Sequence, residues 1–103
     1  MKIAICGLTD GYKQLSEHVT RICRHHYRTV QIEQNIDDAC DVVFAASVDI
    51  AKELREKNGK IPIILLCSSN EEALAGYDIK IDGYIKKPFS LESIDRALFK
   101  NSG

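Results

Sequence analysis

The fold of this chain is decided by the stretch Ile61-Pro62-Ile63-Ile64-Leu65-Leu66-Cys67-Ser68-Ser69. A continuous apolar run of this length, bounded by polar residues, is typical of a strand that is buried on both faces of a sheet. Similar runs rich in Ile and Val predict that the strands lie at 2–6, 29–33, 42–46, 61–67 and 83–85. Amphipathic segments alternate with these strands, so we expect an α/β domain with a parallel sheet covered on both faces.

The helix boundaries are indicated by capping residues. A first helix is predicted over 12–27, and Ser47 predicts the N-cap of a second helix that ends at Gly59. Ser69 and Glu72 have the spacing of a capping box, and Ser90 predicts the N-cap of the last helix.

One connection is too short for a regular alternation of strands and helices. Only 34–41 join the second and third predicted strands, whereas a crossover between parallel strands usually needs a dozen residues or more. We therefore expect at most one helical turn, over 36–40, so that one helix is shortened or missing. Apolar sheet surface at this gap must be covered by neighbouring elements or by a partner, which makes self-association there a candidate.

Composition limits the functional classes. The chain has 103 residues, 45% hydrophobic and 28% charged, which predicts one domain over 1–103. A formal net charge of −1 gives no global attraction to nucleic acid or to an anionic membrane. No apolar run approaches the roughly 20 residues of a membrane span. The N-terminal residues favour a first strand over a signal peptide, so we expect a cytoplasmic location.

Three stretches carry a resemblance to a known family. They are 61–69, Glu72-Ala73-Leu74-Ala75-Gly76-Tyr77 and Gly83-Tyr84-Ile85-Lys86-Lys87-Pro88-Phe89-Ser90. Together they resemble the second half of a bacterial response-regulator receiver domain, closest to the receivers of LytTR-type (Agr-like) transcription regulators. The resemblance implies a flavodoxin-like or CheY-like doubly wound sheet of five parallel strands in the order 2-1-3-4-5. It also implies a role in signal transduction and transcription control.

The phosphorylation chemistry of that family is not matched. Its receivers transfer a phosphoryl group to an aspartate with the help of Mg²⁺, which an acidic pair after the first strand holds. Here the acceptor position is Ala46, which has no nucleophilic atom, and the positions of the acidic pair, within Gly7-Leu8-Thr9, carry no carboxylate. We therefore expect a receiver-like domain that is not phosphorylated and that is not an enzyme.

Other positions of the family's site are partly kept. Lys87 and Pro88 match the retained lysine and the proline that follows it, whereas Cys67, with Ser68 beside it, stands where the family has a hydroxyl. Lys87 is either a solvated lysine, or one paired with Asp10, or part of an anion site with backbone N–H groups at the strand ends. We favour the first two readings because surface lysines need no fixed partner.

Two acids could replace the missing carboxylates. Asp49 lies three residues after Ala46, but its simpler role is to complement the dipole at a helix N-terminus. Asp10 alone leaves Mg²⁺ with too few protein ligands. We predict no metal and no cofactor.

The resemblance is better at the surface through which the family contacts its partners than at its phosphorylation site. Tyr84 stands at the position of the family's switch aromatic, and the family dimerises or meets its partners through its fourth helix, fifth strand and fifth helix. The residues that we assign to this interaction surface are Tyr77, Tyr84, Lys86 and Arg96. The expected partner is another protein or a second copy, and any DNA-binding output domain would lie outside this chain. The alternative is that Tyr84 packs at a sheet edge.

The basic run Arg21-Ile22-Cys23-Arg24-His25-His26-Tyr27-Arg28 could indicate a nucleic-acid patch or a metal site. Neighbouring histidines point about 100° apart on a helix, and the domain is nearly neutral, so we predict a solvated helix face without nucleic-acid binding.

A different functional class rests on the cysteines. The four cysteines include no Cys-x-x-Cys pair, so we predict reduced, mostly buried thiols rather than a zinc or redox site. The alternative is a phosphate-handling enzyme or carrier in which Cys6 precedes a phosphate loop, as in phosphotransferase IIB proteins or low-molecular-weight phosphatases. The arginine that this phosphatase pattern requires is absent, since Tyr12 stands at its position.

Overall fold

A computed structural model describes residues 1–37, 39–87 and 89–100, and for Lys100 the backbone alone. These residues form five strands and four α-helices that alternate along most of the chain. The strands are β1 (Lys2–Cys6), β2 (Gln31–Glu33), β3 (Val42–Ala45), β4 (Ile63–Cys67) and β5 (Gly83–Lys86). The helices are α1 (Tyr12–His25), α2 (Val48–Lys57), α3 (Asn70–Asp78) and α4 (Leu91–Asp95), and α4 continues as a π-helical turn over Arg96–Lys100.

The five strands form one parallel sheet in the order β2-β1-β3-β4-β5. The predicted class and strand order are therefore confirmed. β3 and β4 are buried along their whole length, as the apolar runs predict. β4 begins at Ile63, two residues later than predicted, because Pro62 has no N–H to donate to a ladder. The Pro62 carbonyl still accepts a bond of 3.0 Å from the Val43 N–H.

The sheet separates two apolar clusters, which is why the central strands are apolar on both sides. One cluster joins α1 and α4 to the sheet, with Phe44 and Ile94 fully buried at its centre. The other joins α2 and α3 to the opposite face through Ala51 and Ala73. All buried side chains identified in the described residues are apolar, so the interior itself offers no polar site.

The short connection between β2 and β3 contains no helix in its described residues, 34–37 and 39–41. Ile36 and Cys40 nevertheless pack against the apolar face that a helix would cover, and Ala4 and Val43 beneath are fully buried. Of the two ways to cover this sheet surface that the sequence left open, neighbouring elements or a partner, the described chain therefore shows the first, because the loop itself covers it. The Lys2 ammonium pairs with the Asp37 carboxylate and fixes this loop to β1.

The helix caps agree only in part with the sequence. Ser47 and Ser90 are N-caps as predicted, and Ser90 forms a full capping box with Ser93. At Ser69 only half of the predicted box is present, because the Glu72 carboxylate accepts from the Ser68 N–H at 3.4 Å instead.

Gly59 does not end α2, which is a correction to the sequence-based expectation. The helix ends at Lys57, and the extended backbone of Asn58 takes the chain away from it. The Asn58 side chain then accepts bonds from the Lys60 and Ile61 N–H groups at 2.9 and 3.2 Å. A side-chain-capped turn here replaces a left-handed glycine.

Candidate functional site

Ala46, the residue predicted to stand at the phosphoacceptor position, lies in an apolar corner. Ala46 follows β3 directly and is held to β1 by its N–H, which donates to the Cys6 carbonyl at 3.1 Å. Gly7, the first residue after β1, has a φ of 80°. A Cβ on Gly7 would overlap the Cδ1 atom of Ile50 and would lie 3.5 Å from the Ala46 Cβ. The Ile50 side chain from the first turn of α2 therefore covers this corner.

The two acids that could replace the missing carboxylates, Asp49 and Asp10, are both exposed. Asp49 is exposed in the first turn of α2, where a carboxylate is favoured by the helix dipole. Asp10 is exposed in the turn before α1, beside the half-buried Leu8 and the exposed Thr9. No group of three or more His, Cys, Asp or Glu side chains that could hold a metal ion exists within 1–37, 39–87 and 89–99.

Cys67 and Ser68, at the end of β4, differ in exposure. Cys67 is 1% exposed, and its thiol donates to the Ile85 carbonyl at 3.7 Å, between β4 and β5. Burial raises the pKa of this thiol. Ser68 is exposed, and its N–H donates to Glu72. Of this predicted pair, only Ser68 therefore offers a polar side chain to solvent.

Lys87 is the first residue after β5. Its N–H donates to the Cys67 carbonyl at 2.9 Å, and its side chain is exposed. It lines a groove of about 340 Å³ together with Asp10, His18 and Phe89. Its ammonium forms no ion pair within 4.0 Å with any carboxylate of the described chain. Pro88 and the linkage to it lie outside the described residues.

Cys6 has the environment of a core thiol. It is 8% exposed at the end of β1 and belongs to the cluster under α2 and α3. Burial is the main cause that raises its pKa, and charge repulsion between Cys6 and Cys40 adds to the effect. A phosphocysteine or phosphatase nucleophile needs a lowered thiol pKa, which is the opposite shift.

The four residues assigned to the interaction surface line one groove. Tyr77 of α3 and Tyr84 of β5 meet edge to face with ring centroids 6.1 Å apart, and the two residues are 49% and 41% exposed. Lys86 and Arg96 line the same groove of about 420 Å³. The Lys86 ammonium also donates to the Asn70 amide oxygen at 3.1 Å. We call this surface the Tyr84 face.

One exposed residue on α3 was not assigned to the interaction surface from the sequence. Leu74 is 67% exposed on α3, one turn before Tyr77. Its position could have been predicted, because it lies three residues before Tyr77 and this spacing places both side chains on one side of a helix.

The basic run divides into two parts. Arg21, Arg24, His25 and Arg28 are exposed, as predicted for a solvated face. His26 instead turns inward, where its Nε2 lies 2.7 Å from Asp95 Oδ1 and its ring stacks on Phe99 at 4.1 Å. Sequence reasoning missed this contact because nothing local indicates that the end of α1 meets α4.

No described helix is long and apolar enough to cross a membrane.

No family model matches the sequence. Two curated proteins match part of it. The transcriptional regulatory protein RprY from Bacteroides fragilis is 45% identical over 47 residues, which is 44% of this chain and 20% of that protein. The probable transcriptional regulatory protein TcrX from Mycobacterium tuberculosis is 33% identical over 63 residues, 56% of this chain and 27% of that protein. The matched part is thus less than a third of either relative's length.

Solved receiver structures match nearly the whole chain. The BeF3-activated receiver domain of DrrB, a Thermotoga maritima protein, has a TM-score of 0.71 at 23% identity and covers 97% of this chain and 95% of its own. HP1043, an orphan response regulator of H. pylori, has a TM-score of 0.74 at 14% identity and covers 98% and 95%. CheY4 of Vibrio cholerae has a TM-score of 0.72 at 17% identity and covers 97% of both chains. The strand order and these likenesses together show that the chain has the fold of a response-regulator receiver domain.

Proposed function

We propose that this chain is a receiver-like signalling domain that works without phosphorylation and acts through protein contacts. The observation that carries the proposal is the apolar corner at Ala46, where Ile50 lies against Gly7 in the space next to Ala46. In a phosphorylatable site this space must hold a carboxylate nucleophile and a hydrated Mg²⁺ with oxygen ligands. An aliphatic side chain offers neither charge nor ligands.

The chemistry of the neighbouring groups supports the same proposal. Acyl phosphate formation requires a nucleophilic oxygen, and Ala46 has none. Asp49 is the nearest acid in sequence, but it is exposed on the first turn of α2, and Asp10 is exposed before α1. Lys87 would be a remnant of the phosphorylation site, kept as a surface cation without a phosphate to bind.

The Tyr84 face is the part of the domain that we propose to be active. Aromatic residues and arginine are enriched at protein interfaces, and this groove contains two tyrosines and an arginine in one patch. The exposed Leu74 extends its apolar area along α3. We propose that a second copy of this chain or another regulatory protein docks here.

The partial relatives suggest the setting of this domain. Both are named as transcriptional regulatory proteins, so we propose that this chain regulates transcription and that DNA recognition belongs to an output domain outside these residues. The likeness to LytTR-type regulators and a cytoplasmic location are part of this proposal. We propose no enzymatic role for Cys6.

The acceptor corner can be tested by amide NMR with beryllofluoride, a mimic of the aspartyl phosphate, plus Mg²⁺. A Mg²⁺-only titration and a phosphorylatable receiver serve as controls. We expect no saturable shifts at Ala46, Cys67, Tyr84 and Lys87. Saturable shifts that require both beryllofluoride and Mg²⁺ would show a working site built from Asp10 or Asp49, and the proposal would then be wrong.

The Tyr84 face can be tested by placing a photo-crosslinking amino acid at Tyr84 in living cells. The matched control carries the same group at Lys52, which is exposed on α2 away from the groove. We expect a discrete crosslinked product only from the Tyr84 position, and mass spectrometry then identifies a second copy or another protein. Equal products from both positions, or none from Tyr84, would contradict a docking role.

A further inference from the structure

The end of α1 forms a tight turn that places a tyrosine where glycine is usual. The Arg28 N–H donates to the Cys23 carbonyl at 2.8 Å, and the Tyr27 N–H donates to the Arg24 carbonyl at 3.0 Å. This pair of bonds is the Schellman motif, which requires a left-handed residue after the C-cap. That residue is Tyr27, with a φ of 58°. A bulky side chain is disfavoured in this conformation because its Cβ crowds the backbone.

Packing of the Tyr27 side chain against the described residues does not offset this strain. The Tyr27 side chain is 98% exposed, so it contributes no burial to the core. Glycine would fit the turn without strain. A fully exposed aromatic residue in a strained conformation is therefore explained better by a contact outside the domain than by folding.

Basic residues lie on both sides of this tyrosine in the sequence. The described residues from His18 through Thr29 include no acid, and Arg24 and Arg28 are exposed. Arg21 and His25 are exposed too, but they share a groove with Glu92 and Asp95 of α4, so the positive charge nearest to Tyr27 is that of Arg24 and Arg28. Within the described chain none of these four side chains forms an ion pair with a carboxylate. The result is a local positive patch with one aromatic side chain at its tip, on a domain whose net charge is −1. We call this patch the Tyr27 turn.

We infer that the Tyr27 turn is a docking site for an acidic protein segment that also presents an apolar side chain to the tyrosine ring. Tyrosine and arginine are the residues that most often carry the binding energy of protein interfaces. Unpaired arginines bind carboxylates in bidentate fashion, which gives charge complementarity to such a segment. This site lies at the amino-end edge of the sheet, because Tyr27 precedes β2, whereas Ala46 lies at the opposite edge.

A protein segment fits this patch better than nucleic acid does. The patch extends over little more than one turn of α1 and the residues after it, and the rest of the domain gives no net attraction to phosphates. Tight binding to a duplex usually needs several phosphate contacts along a longer positive surface. The inference is independent of the Tyr84 face, since it uses none of the residues there.

The chain provides a matched control for the strained tyrosine. Lys80, after α3, has a φ of 65° in the same motif, with the Lys80 N–H donating to the Tyr77 carbonyl at 3.1 Å and the Ile81 N–H to the Gly76 carbonyl at 3.3 Å. Tyr27→Gly and Lys80→Gly therefore remove the same kind of backbone strain at two separate places.

The test is an amide NMR titration of the whole chain with a synthetic Glu-rich peptide that carries one phenylalanine. We expect saturable shifts centred on Arg24, Tyr27 and Arg28. Tyr27→Gly should weaken binding about tenfold, the typical effect of losing an interface hot spot, while its unfolding midpoint stays at or above that of the parent chain. Lys80→Gly should leave binding unchanged. Arg24→Glu should weaken binding while keeping the strained tyrosine.

Several results would overturn the inference. They are the absence of saturable shifts at the Tyr27 turn, equal peptide affinity for Tyr27→Gly and the parent chain, and a loss of affinity in Lys80→Gly as large as that in Tyr27→Gly. Shifts at these amides with a single-stranded oligonucleotide but not with the peptide would assign the patch to nucleic acid instead. Thermal unfolding of each variant separates a loss of contact from a loss of fold.

Discussion

The side chain of Ile50 lies directly on the backbone of Gly7, in the space that a Cβ at position 7 would need. Gly7 also has a φ of 80°, so a side chain there would be strained and would displace the end of the Ile50 side chain. This contact joins the first turn of α2 to the end of β1 and closes the corner beside Ala46.

Gly7→Ala should lower the free energy of unfolding by about 2 to 3 kcal/mol, because left-handed strain adds to overpacking against Ile50. Gly11→Ala is the matched control. Gly11 has a φ of 84° but no heavy atom within 4 Å of an added Cβ, so strain alone should cost about 1 kcal/mol. Urea unfolding measures both, and equal losses would show that Ile50 does not fill this corner.

Gly76→Ala should destabilise the chain although Gly76 lies in a helix. An added Cβ would lie 2.5 Å from Ile81 Cδ1 and 2.9 Å from Leu65 Cδ2. Overpacking of this kind lowers the free energy of unfolding by about 1 to 3 kcal/mol. The higher helix propensity of alanine offsets up to about 1 kcal/mol of this loss. Gly59→Ala, where an added Cβ meets open space, should change stability by less than about 0.5 kcal/mol. The same urea experiment compares the two, and a neutral Gly76→Ala would contradict the close packing of α3 on β4.

Arg55→Met should cost about 2 kcal/mol or more of stability. The guanidinium donates to the Ile61 and Lys80 carbonyls at 2.8 Å each, to Asp82 Oδ2 at 3.1 Å and to the Asn58 carbonyl at 3.4 Å. Its loss therefore leaves four acceptors without this donor. Lys52→Met on the same helix is the control, since Lys52 is exposed and forms no ion pair within the described chain. Chemical unfolding that gave equal stabilities for the two variants would argue against a clamp between α2 and the start of β5.

Stability should fall in acid through the Asp37–Lys2 pair. The hydrogen bond from Lys2 is the main cause that lowers the pKa of the Asp37 carboxyl. The folded state therefore binds this proton less readily than the unfolded state, so the contribution is complete above the ordinary carboxyl range near pH 4 and is lost as pH falls through the lowered pKa.

Asp37→Asn should accordingly flatten the dependence of the unfolding midpoint on pH below about pH 4. Asp49→Asn, which alters an exposed acid on α2, is the comparison. An unchanged slope in Asp37→Asn would show that the pair does not hold the loop to β1.

The thiols should react slowly at neutral pH. Burial is the main cause that raises the pKa of Cys6, Cys23, Cys40 and Cys67, and the thiolate is the reactive form. Alkylation of the folded chain, followed residue by residue with mass spectrometry, should become faster as pH rises above the ordinary thiol range. Fast alkylation of Cys6 that is already independent of pH near 7 would revive the enzyme alternative.

Much of the sheet was predictable because its evidence is local. The run from Ile61 to Cys67 can hardly be anything but a buried strand, and the shortness of 34–41 excludes a full helix. The strand order came from the resemblance rather than from periodicity, and the structure confirms it.

The end of α2 was predicted wrongly at a local turn, whereas the contacts that sequence analysis missed join distant residues. Gly59 looked like a helix end, but the side chain of Asn58 makes the turn. Nothing local shows that Ile50 would cover Gly7 or that His26 would reach Asp95. The roles assigned to the site residues, such as Tyr84 and Lys87, stay predictions, because a fold fixes positions and not partners.

His26 connects the end of α1 to α4 and to the π-helical turn after it. Its ring contacts both Asp95 and Phe99, which lie in these two elements. Tyr27 is the next residue of the chain. A protein bound at Tyr27 would therefore lie one residue from a direct contact with α4, by a route that does not pass through the corner at Ala46.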